Sequence, residues 1–185
     1  MVKRDLIRNI ILAIIFSLVL FFIGRFYIST VKVTQENENS FLKAGDVLIY
    51  TKQTKPKEND FIVYDVDGKT YISRFIAEGE DSVTSMDDVL YVNGKIKSEP
   101  YIEKLKSAYL TENNHQMNFT TDFNLRVVNK AMKAKTDKDS YFVLNDNRQD
   151  LKDSRTFGVI SHAQVRGVLT FKVFPFESFG FIESQ

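Results

Sequence analysis

From Ile10 to Gly24 the chain runs IILAIIFSLVLFFIG without a single charge, and this stretch constrains the rest more than any other. Extending it to Ile28 gives 19 residues and admits only Arg25, whose aliphatic stem can carry its guanidinium back to a membrane interface. At 1.5 Å per residue such a helix reaches roughly 28 Å, the thickness of bilayer hydrocarbon. Lys3, Arg4 and Arg8 precede it, so the positive-inside rule predicts residues 1–9 in the cytoplasm and everything beyond the span outside. A cleaved signal peptide would share the basic start and the apolar run. The exit RFYISTVKV, however, has bulky residues where a small-x-small step is needed, so an uncleaved single-pass anchor at 10–28 in the cytoplasmic membrane is expected.

Residues 29–185 then form the extracytoplasmic domain, long enough to bury a core without staples. Their texture is that of short strands with turn punctuation. Val47–Tyr50, Phe61–Tyr64, Tyr71–Ile76, Val89–Val92, Tyr141–Leu144 and Val165–Phe174 read as strands. Asp67-Gly68 and Asn93-Gly94 read as tight hairpin turns. Residues 105–138 are polar and uneven, with a lysine-rich stretch from Lys130 to Lys138, and read as a variable insertion with one strand near Leu125–Val128. Helix periodicity outside the anchor is weak. The fold class expected is mainly β: one transmembrane helix and then an antiparallel β domain.

Composition removes whole classes of chemistry. Lys plus Arg is 25 against Asp plus Glu 24, so no basic face for nucleic acid is expected. There is no Cys, which excludes thiol catalysis and disulfides. His115 and His162 are isolated, so neither a metal site nor any other cofactor is expected, and His162 beside Ser161 is read as a surface residue near a turn.

One run is far less ordinary. Asn145-Asp146-Asn147-Arg148, then Asp153-Ser154-Arg155, then Phe157-Gly158, resembles the C-terminal block of the type I signal peptidases, Gly-Asp-Asn-Arg, Ser, Asp-Ser-Arg and Gly, at matching intervals. Leu90-Tyr-Val-Asn-Gly94 with Pro100-Tyr101 resembles a second, less specific block of that family. Phe61-Ile-Val-Tyr64 and Tyr71-Ile-Ser-Arg74, followed by Asp81, resemble the block that carries its lysine base. Leu42 and Gly45-Asp46 match the end of its nucleophile block, and Gly167 and Phe174-Pro175 its tail. The resemblance runs from the anchor to about Gly180, apart from the insertion. It implies a membrane-bound β domain acting on secreted precursors through a serine–lysine dyad. By that resemblance Asp146, Asn147, Arg148, Asp153, Ser154 and Arg155 support the site and do not react; carboxylate and guanidinium pair bidentately and hold nearby backbone in place.

The reacting groups depart from the pattern. Counting back from Gly45 through Ser-Met-x-Pro-Thr-Leu-x-x-Gly-Asp, the serine position is Asn37, and Met, Pro and Thr become Glu38, Ser40 and Phe41. The lysine position is Ser73, and the serine that orients the lysine amine falls at Leu151. An amide forms no acyl-enzyme, and Arg74 cannot stand in as base because guanidinium does not deprotonate near neutral pH. The expectation is therefore a member that is catalytically inactive. It would bind extended segments of secreted precursors, or of pilus precursors as in dyad-lacking Gram-positive relatives. The competing expectation is an active signal peptidase with displaced groups. Ser40 and Lys43 are formally Ser-x-x-Lys, but in loop or extended chain residues three apart do not face each other. Val31, Val33 and Phe41 on one side, with Phe61–Tyr64 and Tyr71–Phe75 on the other, either line a peptide groove or are core, and core is the preferred reading for most of them.

Overall fold

The computed structural model describes residues 2–39, 41–78, 81–125 and 140–182. An apolar helix, α1 (Val2–Tyr27), leads straight into β1 (Ile28–Lys32). Within it Arg4–Tyr27 is long and apolar enough to cross a membrane, and its most apolar stretch is unburied among the described residues. The helix ends one residue before the expected span does, because Ile28 is already paired with Thr51 in the sheet. Two carbonyls at its end are held by one residue: Lys52 donates its backbone N–H to Tyr27 O at 2.9 Å and its Nζ to Arg25 O at 3.0 Å. A cation there also suits the negative end of the helix dipole.

The chain continues through β2 (Val47–Thr51), β3 (Phe61–Val66), β4 (Lys69–Glu78), β5 (Val83–Met86), β6 (Val89–Val92), β7 (Lys95–Ile96), α2 (Glu103–Glu112), β8 (Phe123–Asn124), β9 (Ser140–Leu144), α3 (Ser154–Phe157), β10 (Ile160–Ser161), β11 (Val165–Phe174) and β12 (Gly180–Phe181). Among the described residues the main sheet has the order β1-β2-β11-β3-β4-β9-β10 with β12 added to β11, and a smaller sheet the order β7-β6-β5-β8. Every described pairing is antiparallel. β3 lies centrally, and Phe61-Ile-Val-Tyr64 is buried throughout. Alternate residues of β3 feed two different core clusters: Phe61 and Val63 pack with Leu42, Leu48 and Leu169, while Ile62 and Tyr64 pack with Phe75, Val143 and Val168. A third cluster, around Ile76, Leu90, Leu125 and Phe142, joins the two sheets.

Asp67-Gly68 and Asn93-Gly94 have φ of 50° and 76°, and 53° and 74°, which is the two-residue turn with positive φ at both positions that such pairs favour. Several elements go beyond the sequence expectation, β1 among them. The strand β5 appears before Val89, and the insertion carries the helix α2. The strand expected near Leu125–Val128 falls mostly, like the lysine-rich stretch, outside the described residues; Leu125 itself is buried.

At Gly167 β11 crosses β2 so closely that an added Cβ would lie 2.2 Å from Thr51 O and 2.9 Å from the Tyr50 ring. On its other side β11 carries a bulge against β3, between Val165 and Gly167. Gly167→Ala in the full chain in detergent is expected to cost about 3 kcal/mol, since the obstructing atom is backbone and cannot rotate away. Thermal unfolding checks this; an unchanged midpoint would show that the two strands part freely.

Candidate active site

The loop between β1 and β2 is built to be rigid. Asn39 Oδ1 accepts the N–H groups of Phe41 and Leu42, both at 2.9 Å. Asp46 Oδ2 accepts from Lys43 N at 3.0 Å and pairs with Lys172 Nζ at 2.6 Å. Leu42 is buried, and Gly45, with φ 98°, reverses the chain so that its N–H reaches Val33 O. The residues that match the end of the family's nucleophile block are thus the ones that fix the loop.

This loop presents Asn37 to β4. Asn37 is buried; its Nδ2 donates to Thr34 Oγ1 at 3.2 Å and to Thr70 O at 3.3 Å, and its Oδ1 accepts the N–H of Ile72 at 3.3 Å. Asn37 therefore bonds β4 at Ile72, the residue before Ser73; 37 and 73 are the positions that the resemblance gives to nucleophile and base. Neither carries a group that can react as the dyad does.

Ser73 is buried among hydrogen-bond partners. Its Oγ donates to Asn145 Oδ1 at 2.6 Å and stands 2.9 Å from Tyr64 Oη. A serine hydroxyl has one proton, so with that proton on Asn145 the phenol is the donor in the second bond. Burial, ahead of every other influence, pushes the Tyr64 phenol above its ordinary value, which keeps it protonated. An amide oxygen and a protonated phenol are not bases, so neither of these two partners takes up the Ser73 proton. Asn145 is in turn held by Nδ2 contacts to Asp150 Oδ2 at 3.2 Å and Lys152 O at 3.3 Å.

Next to this pair the scaffold is ionic and largely buried. Arg74 and Asp146 are both buried and meet bidentately, Nε to Oδ1 at 2.7 Å and Nη2 to Oδ2 at 2.8 Å, while Nη1 donates to Asn59 O at 2.7 Å. The Arg74 guanidinium lies 3.9 Å from the Tyr101 ring centre and 4.2 Å from that of Phe61. Arg148 is buried against the Glu99 carboxylate, which also accepts Tyr101 Oη at 2.8 Å. Arg155 grips Asp153 with Nε and Nη2 and reaches back to Arg148 O at 2.7 Å and Asp150 O at 2.6 Å. Asp153 also accepts the N–H of Asn145 at 2.8 Å and of Arg155 at 2.9 Å, and Ser154 Oγ accepts that of Val143 at 2.9 Å. Asp146 and Arg148 tie the 145–158 turn to β4 and to Glu99, and the contacts of Asp153, Ser154 and Arg155 tie it to β9 or to itself. Asn147 does less: it is exposed, and its Oδ1 accepts from Gln149 N at 3.2 Å.

The other positions singled out in the sequence fall apart from this cluster. Leu151 has an exposed side chain and serves by its carbonyl, which accepts from Asp153 N and Thr156 Oγ1. Lys43 points to solvent beside Glu38, 3.8 Å away, and Ser40 lies outside the described residues. Three residues complete the site without having been assigned a part in it individually: Tyr64 and Asn145, named only within matching runs, and Glu99. Asn145 had a visible signal, since it stands where the family block has Gly. Tyr64 and Glu99 had none, because their partners are brought to them only by the fold.

A single apolar helix leads into an antiparallel β domain whose β1–β2 loop sets Asn37 against β4, and the comparisons with known proteins place this scaffold among the signal peptidases. The family model for signal peptidases, peptidase S26, matches residues 4–174, and the chain belongs to that family. It is 29% identical over 184 residues to signal peptidase IB of Staphylococcus aureus, covering 96% of this chain and 94% of that one. It is 34% identical over 145 residues to signal peptidase I of Bacillus caldolyticus, 76% of each chain. The crystal structure of a signal peptidase I from Enterococcus faecalis superposes with a TM-score of 0.56 at 34% identity, over 63% of this chain and 98% of that one.

Proposed function

We propose that this chain is a non-catalytic member of the signal peptidase family that binds extended segments of secreted precursors at the outer face of the cytoplasmic membrane. Lys3, Arg4 and Arg8, in the first turns of α1 ahead of its uncharged run, support placing residues 1–9 in the cytoplasm, 10–28 across the bilayer and 29–185 outside. One observation carries the reading: the two positions that should hold nucleophile and base hold Asn37 and Ser73, and both are already engaged in hydrogen bonds with no base among their partners. The ionic framework beside them is intact, which is what a scaffold kept for binding needs. Pilus precursors are the client class that the resemblance to dyad-lacking Gram-positive relatives suggests.

The test uses native membranes and a secreted precursor carrying a photo-crosslinker in its signal-peptide cleavage region. The expected result is a crosslink to this chain, near Phe41 or β4, with the precursor at full length. A crosslink accompanied by a shortened precursor that requires this chain would contradict the non-catalytic reading, and the absence of any crosslink would contradict precursor binding.

A further inference from the structure

The half of β4 that carries position 73 has a free edge. β3 pairs with it over Lys69–Arg74, whereas β9 pairs only with Arg74–Glu78. Among the described residues no strand lies beside Lys69–Ser73 on the β9 side. The main-chain groups alternate between the two sides of a strand. Phe75 bonds the chain just before β3, its N–H to Asp60 O and its carbonyl to Asn59 N, so odd-numbered residues face β3 and Thr70 and Ile72 face the open side. An unpaired row of this kind is a template for an added strand.

Asn37 occupies that row. Its amide donates to Thr70 O and accepts from Ile72 N, both at 3.3 Å. One donor and one acceptor, taken two residues apart on one strand, are the bonds that a residue of an added strand would make. We propose that Asn37 is an internal stop on the β4 edge, standing in for one residue of a peptide, so that an extended peptide binds there only by displacing the side chain. This rests on the reading that peptides are received at this edge, and adds that the chain itself competes for it. Both bonds are at the long end of the range, and the groups on either side are neutral, so the stop is displaceable. A buried Ile72 N–H left without a partner would be costly, which accounts for a side chain that matches the strand edge.

The experiment uses the full chain in detergent and a fluorescent peptide in which Ala-Gln-Ala, the small-x-small step of a secreted precursor, is followed by several further residues, so that the bond after the last Ala is present. Asn37→Ala is expected to bind it about tenfold more tightly than the unaltered protein, the factor that corresponds to two weak hydrogen bonds no longer displaced. Thr34→Ala, which loosens Asn37 by removing its Oγ1 contact, is expected to shift affinity the same way by a smaller factor. Hydrogen exchange at Ile72 should quicken in Asn37→Ala and slow again once peptide is added. Equal affinities in all three proteins, or tighter binding with no protection of the Ile72 amide, would overturn the stop. Peptide mass is followed in the same samples, so cleavage, which would defeat the non-catalytic reading, registers separately from affinity.

Discussion

Signal-peptide cleavage is expected to appear in this chain when four positions are changed together, Asn37→Ser, Ser73→Lys, Asn145→Gly and Leu151→Ser, at a rate about 10²–10⁴ above the unaltered protein, the usual contribution of a positioned general base. The first two changes install the nucleophile and the base. A lysine at position 73 would enter a site where Ser73 is 1% exposed, and burial lowers an amine's pKa toward the range in which it can take a proton. Ser73 Oγ already lies 2.6 Å from Asn145 Oδ1, so the longer amine has no room until the asparagine side chain is removed. Leu151→Ser puts a hydroxyl where the resemblance has the serine that orients the amine. The double variant Asn37→Ser/Ser73→Lys is expected to remain near background. Initial rates on a labelled preprotein check the series. A double variant as fast as the fourfold one would show that Asn145 obstructs nothing.

The second large effect concerns Arg74 and Asp146. Asp146→Ala is expected to destabilise the full chain in detergent by about 3–5 kcal/mol, because it leaves a guanidinium buried and uncompensated. For a domain of this size that lowers the thermal midpoint by roughly 10 °C. Arg74→Met/Asp146→Leu is expected to recover much of the loss, since replacing both charges with apolar groups removes the stranded charge along with the pair. Equal losses in the single and double variants would mean that the pair contributes by its own attraction rather than by mutual neutralisation. Arg74→Lys is not a conservative change here: it gives up the two-pronged contact with Asp146 and the flat stacking against Phe61 and Tyr101.

How much of this could be read from the amino-acid sequence follows from how local each signal is. The hairpin β3–β4 was legible because Phe61–Tyr64 is continuously apolar and Asp67-Gly68 tolerates positive φ. The hairpin β5–β6 was not, because its turn is Asp87-Asp88, with φ of 49° and 60° and no glycine. That conformation is held by the Asp88 carboxylate, which accepts the N–H groups of Phe119 and Thr120, and contacts of more than 30 residues' separation leave no mark on a local pattern. The helix α2 was missed for a related reason. None of its residues is fully buried, and Leu105 and Tyr109 only lean on the cluster of Tyr101, Ile102 and Phe119, so its periodicity is faint. At the site, the 145–158 block was plain in the order of its residues. That Ser73 spends its proton on Asn145, 72 residues away, and that Asn37 caps the edge of β4, are consequences of tertiary packing alone.

The most direct measurement is mass analysis of a purified preprotein incubated with the unaltered full chain in detergent, beside the same chain carrying Ser73→Ala or Ser40→Ala. With Asn37 and Ser73 locked as described, the preprotein stays at full length in every sample. A fragment starting at the mature N-terminus, produced by the unaltered chain and lost in either alanine variant, would contradict the account at its root.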